Sequence, residues 1–166
     1  MTIEQLKGLP AYGPMYIPFA PEGVSHFSEG FVLKINIDEN NYWVANFRNG
    51  YGKLKFAKLY EETNLLFAIA QGSIYEVDIE EKRLKNIYSS SAEEYIEYNN
   101  QVFIGDWSDI YCFNKNGLKW RTENIGIDGI ILENITDNTL YGQIYDPMRE
   151  KWNTVKINID NGAKET

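Results

Sequence analysis

A chain of 166 residues with 43% hydrophobic and 14% aromatic content carries enough apolar material to bury one core of ordinary domain size. Its 24 acidic against 16 basic residues leave a formal net charge of −8, which repels phosphate backbones and anionic lipid and argues against nucleic-acid and membrane partners. The single cysteine, Cys112, excludes an intramolecular disulfide, and no CxxC or Cys/His cluster is there to hold a structural metal.

The start, MTIEQLKGLPAYG, lacks the basic and apolar regions of a secretion signal, and no apolar run approaches the roughly 20 residues of a spanning helix, so a cytoplasmic protein is expected. Within that start, TIEQLKGL is compatible with a short helix or a loop. LPAYGPMYIPFAPEG carries four of the five prolines and reads as part of an extended arm, residues 1–30, lying on the domain.

Strand signals then follow almost without interruption: FVLKINI (31–37), YWVANF (42–47), KLKFAK (53–58), LLFAIA (65–70), SIYEVDI (73–79), QVFIG (101–105), DIYCFN (109–114), GLKW (117–120), GIILENI (129–135), TLYGQIY (139–145) and WNTVKINI (152–159). Asn49-Gly50, Gln71-Gly72, Asn116-Gly117, Asp128-Gly129 and Asn161-Gly162 supply pairs tolerant of positive φ, as tight hairpins require. Between them SSSAEEYIEYN (89–99) has a serine placed like an N-cap and is compatible with helix or loop. The class predicted is all-β and antiparallel.

The pentapeptide KINID occurs twice, at 34–38 and 156–160. Aligning strands by a last apolar residue and the acid or amide after it pairs Ile37-Asp38, Val77-Asp78, Phe113-Asn114 and Ile159-Asp160. NLLFAIAQGSIYEVD (64–78) overlays NQVFIGDWSDIYCFN (100–114) without a gap, and a third copy begins at NTLYGQIYD (138–146). A period near 40 residues is the size of a propeller blade. About four short sheet repeats are predicted, at roughly 31–60, 61–95, 96–127 and 128–166, in one β-rich domain.

VFIGDWSDIYCFNKNGLKW (102–120) resembles a blade of the quinoprotein-type β-propellers, which implies a propeller-like array. The Gly117 to Trp120 interval is one residue short of that family's, and its cofactor constellation is missing, so the resemblance carries no activity and no cofactor. The chain is also similar to a group of small uncharacterised bacterial proteins with W-x-x-N-F, W-[RK]-[ST]…D-G and D-P-x4-W signatures. Here these are Trp43, Asn46 and Phe47; Trp120, Arg121, Thr122, Asp128 and Gly129; and Asp146, Pro147 and Trp152. That similarity implies a discrete single-domain bacterial protein. An open array leaves sheet edges. Three solutions stand: MYIPF (15–19) pairs with the last sheet and closes it, a half-propeller dimerises, or two strongly twisted sheets stay unclosed.

Catalytic chemistry is hard to find. His26 is the only histidine and sits in a loop-like context, G-x-S-x-G and H-E-x-x-H are absent, and Cys112 lies between Tyr111 and Phe113 as a packing residue. NGYGKLKF (49–56) lacks the Ser/Thr of a phosphate loop and reads as a hairpin turn. No catalytic residue, metal site or cofactor is predicted. Asp106 and Asp109 flank Trp107, either as a sugar site of stacking ring and acids or as a turn whose acids hold the loop. The candidate binding residues are Asp106, Trp107, Asp109, Trp43, Asp146 and Trp152.

A rigid acidic β scaffold rich in rings fits a non-enzymatic protein-binding module for a basic partner surface. Its most specific form is a small cytoplasmic immunity-type protein that neutralises a basic bacterial toxin. The alternative is a carbohydrate-binding or carbohydrate-active domain using Trp107 with Asp106 and Asp109.

Overall fold

The computed structural model describes residues 1–25 and 28–165. They form four sheets in two compact units, Met1–Ser91 and Ala92–Thr166. The first sheet runs β1 (Thr2–Gln5), β3 (Phe31–Asn36), β4 (Tyr42–Phe47), β2 (Ile17–Phe19). The second takes β5 (Lys55–Tyr60), β6 (Leu65–Ala70), β7 (Ser73–Asp78) and β8 (Arg83–Ile87) in chain order. In Ala92–Thr166 the third is β9 (Glu94–Tyr98), β10 (Gln101–Gly105), β11 (Ile110–Asn114) and β12 (Gly117–Arg121), again sequential. The fourth has β13 (Ile130–Thr136), β14 (Thr139–Asp146) and β15 (Lys151–Asn158). All pairs are antiparallel except β2 with β4. The all-β class is as predicted.

Alternation decides which face is buried. In β4, Trp43, Ala45 and Phe47 join Leu33 and Ile35 of β3 in one cluster with Leu66, Ala68, Tyr75 and Val77 of the second sheet. In Ala92–Thr166, Phe103, Ile110, Cys112, Trp120, Leu132, Leu140 and Ile157 form the other core. Each of the large aliphatic and phenylalanine side chains among them contributes about 1.5–3 kcal/mol on burial. Cys112 packs there as predicted.

Neither helical candidate is helical, and each contains a strand. Thr2–Gln5 pairs residue for residue with β3 and covers its edge. Glu94–Tyr98 has a period of two, with Ile96 and Tyr98 packed on the core and Tyr95 and Glu97 outward, so pairing with β10 buries what a helix would scatter. The serines before it are held by β7 and the β4–β5 link, through Ser89 O to Ile74 N at 3.1 Å and Ser90 O to Tyr51 N at 2.8 Å.

The arm does not pair with the last sheet. Ile17–Phe19 lies parallel to β4, which brings Phe19 onto Phe47 at 5.0 Å and Trp43 at 6.2 Å, with Pro18 tolerated on an edge strand. Asn46, fully buried, anchors the arm by accepting from Gly30 N at 2.9 Å and donating to Ser28 O at 3.0 Å. In the fourth sheet, part of the β15 edge is taken by the chain that follows it, with Ile157 bridging to Lys164.

Asn49-Gly50 is no hairpin turn: it joins the first sheet to the second, with Gly50 N donating to Ala70 O at 2.8 Å and no positive φ. Gly50 is needed for closeness, since a Cβ there would sit 2.5 Å from Ser90 O. The β6–β7 hairpin does use Gln71-Gly72, at φ 45° and 93°. Two glycine-free turns were not foreseen, Asn99-Asn100 at φ 47° and 57° and Asp137-Asn138 at φ 47° and 66°. Asparagine tolerates this region because its short amide bonds locally.

The alignment of strand ends shifts at both KINID copies. Ile79 N donates to Asn64 O and Ile159 N to Asn138 O, so Ile159 matches Ile79, not Val77. The residues that close β3, β7, β11 and β15 are Asn36, Asp78, Asn114 and Asn158.

Candidate functional site

The loop between β10 and β11 is built by its two acids. Asp106 N donates to Asp109 O at 3.0 Å, and Asp106 Oδ1 accepts from Ser108 N at 2.8 Å and Asp109 N at 2.7 Å. Asp106 Oδ2 accepts from the Tyr111 hydroxyl at 3.1 Å. Burial, then the Asp106 charge, pushes that phenol well above its ordinary value. Asp109 is fully buried and accepts from Arg121 Nη2 at 2.7 Å, Asn124 N at 2.8 Å, Ser108 Oγ at 2.9 Å and Thr122 Oγ1 at 3.4 Å. Thr122 Oγ1 accepts in turn from Ile110 N at 2.8 Å. The Arg121 guanidinium lies 5.1 Å from the centre of the Tyr111 ring. Both carboxylates are thus occupied within the fold.

Trp107 is thrust outward by this turn and is 48% exposed. Its indole Nε1 donates to Glu93 Oε1 at 3.0 Å, and its carbonyl accepts from Gly129 N at 3.0 Å. Gly129 has φ 140°, accepts from Tyr145 N at 3.1 Å, and lies against the ring of Trp152, 3.4 Å from where a Cβ would be. Trp152 is 43% exposed and meets its cross-strand partner Tyr145 at 5.3 Å. The loop at Gly129 therefore joins the Trp107 backbone to the Trp152 ring in one candidate face, with exposed Ile127 beside it in the chain.

Asp146, next to Tyr145, turns the chain toward β15 by accepting from Met148 N at 3.0 Å and Arg149 N at 3.2 Å. Trp43 is not part of this face: it is buried in the core of Met1–Ser91, and its Nε1 has no hydrogen-bond partner. His26 lies outside the described residues. Among the described residues no group of three or more His, Cys, Asp or Glu side chains could hold a metal ion.

Charge follows the same division. Ala92–Thr166 has 13 acidic against 7 basic residues, a net −6, whereas Met1–Ser91 has 11 against 9, a net −2. Residues 92–114 and 122–148 together hold ten acids and no lysine or arginine. Sequence reasoning did not place Glu93 or Gly129 in the site; the alternation of acids with rings in AEEYIEY was the signal for Glu93, whereas Gly129 was marked as a turn and as part of the D-G signature.

The signature residues Trp120, Arg121 and Thr122 are structural. Trp120 Nε1 donates to Ile159 O at 2.9 Å, Arg121 and Thr122 hold Asp109, and Gly162 admits the Trp120 ring, which would stand 2.7 Å from a Cβ. Comparison of the chain with protein-family models and with curated proteins finds no match.

Proposed function

We propose that this chain is a non-enzymatic protein-binding module whose acidic, ring-bearing face in Ala92–Thr166 takes a partner with a basic surface. The observation that carries the reading is a coincidence: six of the eight net negative charges belong to the unit that exposes Trp107 and Trp152. Exposed indoles supply contact area with few torsions to freeze, and the net negative charge of the unit that carries them speeds encounter with an oppositely charged surface. The most specific form is a small bacterial immunity-type protein acting in the cytoplasm on a basic toxin. The sequential four-stranded order of the second and third sheets supports the kinship with propeller blades.

A carbohydrate site keeps Trp107 as a stacking ring but lacks its acids, since Asp106 and Asp109 are bonded inside the fold. Protein binding is the better supported of the two.

The test is co-expression with the basic toxic domain encoded beside its gene. Growth should be restored, the purified pair should weaken steeply with salt, and Trp107→Ala or Trp152→Ala should each lower affinity about tenfold. A metabolic gene neighbourhood, or a glycan-array response that needs Trp107, would count decisively against the proposal.

A further inference from the structure

We infer that Trp107 and Glu93 form the receiving site for an arginine side chain of the partner, its guanidinium lying on the indole face and pairing with Glu93 Oε2. The inference rests on the binding function proposed above and names the chemistry its partner must present.

The Nε1 bond at 3.0 Å fixes the Glu93 carboxylate at the edge of the indole through one oxygen, Oε1. The other oxygen carries no hydrogen bond or ion pair among the described residues, while the ring is 48% exposed. An aromatic face with a carboxylate at its rim is what a guanidinium requires, because the cation is attracted to the π face while its in-plane N–H groups reach the acid.

The chain contains a worked instance of the same arrangement. On the neighbouring strands Arg121 lies 5.1 Å from the Tyr111 ring centre and 2.7 Å from Asp109 Oδ2, so that ring and acid are satisfied from within. Trp107 and Glu93 repeat the pair without a cation. Residues 92–114 and 122–148 hold no lysine or arginine; Lys115, the cation nearest Trp107 in sequence, follows the far end of β11, and Arg121 is engaged by Asp109. A lysine fits less well: its ammonium is a compact, strongly hydrated charge that cannot lie flat on the ring.

The experiment uses the full chain, whose four tryptophans give separate indole N–H signals in a nitrogen–proton correlation spectrum. Trp107→Phe assigns the signal of Trp107. A blocked peptide with two arginines and its lysine twin are then titrated at low salt. The expected result is a saturable shift of the Trp107 signal, about threefold or more tighter for the arginine peptide, with Glu93→Gln weakening it about fivefold. Both substituted residues are at the surface, and the remaining indole signals report that the variants fold. Equal response to the two peptides, or wild-type binding by Glu93→Gln, overturns the arginine site while leaving a basic partner in place. Absence of any response to either peptide overturns both.

Discussion

Asp109→Ala tests whether the carboxylate is a structural member of its loop. It is fully buried and serves four donors, and their fates differ once it is gone. Arg121 is 49% exposed and returns to water, so its ion pair contributes little by itself. Thr122 keeps its bond from Ile110 N. Asn124 N–H and the Ser108 hydroxyl lose a charged acceptor, and at about 1–2 kcal/mol each the variant should be destabilised by about 3 kcal/mol. For a chain of this size that lowers the melting temperature by about 6–12 °C. Asp109→Asn keeps one acceptor and sets an amide N–H against Arg121, at a cost of about 2 kcal/mol.

The effect should depend on pH. Burial alone would raise this carboxyl, but the Arg121 guanidinium, the Asn124 N–H and the Ser108 hydroxyl outweigh it and hold Asp109 below the ordinary carboxylate range. A group whose value is lower in the folded than in the unfolded chain stabilises the fold above about pH 4 and loses that contribution as the pH falls through its folded value. Urea unfolding followed by circular dichroism at pH 7 and in steps toward about pH 2 should show the gap between wild type and Asp109→Asn closing in acid. A gap at pH 7 below about 0.5 kcal/mol, or one that stays constant into acid, would refute the reasoning.

Two further outcomes follow from backbone and burial. Asn99→Ala, at φ 47° in the β9–β10 turn, should cost about 1 kcal/mol in urea unfolding, whereas Asn99→Gly should change stability by only a few tenths; equal losses would deny the turn its left-handed conformation. Burial pushes the Cys112 thiol up to about 12. With a disulfide reagent at pH 8 it should react about 1,000-fold more slowly than a free thiol and at full rate in urea, and rapid labelling of the native chain would contradict its burial.

What the sequence disclosed was whatever alternation and turn chemistry enforce locally. LLFAIA and SIYEVD are apolar or alternate over six residues and are bounded by a pair suited to positive φ, so their hairpin could be read directly. EYIEY alternates equally well, but the serines and glutamates before it imitate a helix cap, and only pairing with β10 decides the matter. The candidate site was half legible. An outward Trp107 follows from a turn of acids, but the occupation of Asp109 needs Arg121 and Asn124 from a different strand and loop. The link from the Trp107 backbone to the Trp152 ring runs through Gly129, more than 20 residues from either, which no local pattern encodes.

The repeated KINID shows why local reading fails by a particular amount. In a strand a slip of one residue turns every side chain to the wrong face, while a slip of two leaves all of them on the right one. Ile-Asn-Ile-Asp offers an apolar residue followed by an amide or acid in two registers, two apart, and both alignments satisfy the burial pattern. Hydrogen bonds break the tie. Asn158 Oδ1 accepts from Asp160 N at 3.0 Å as Asn114 Oδ1 does from Asn116 N at 2.8 Å, so the amide closes the turn and Asp160 is left to hold Asn138 Nδ2 at 2.7 Å, as Glu80 holds Asn64 at 3.0 Å. In the first copy the turn is built differently: Asp38 Oδ1 accepts from Asn40 N and Asn41 N, both at 2.9 Å, and Asn36 bonds Thr2 instead. Identical letters therefore mark the same strand end but not the same work. The property the four units share is a strand closed by Asn or Asp, a requirement of turn geometry that a single pentapeptide match neither proves nor needs.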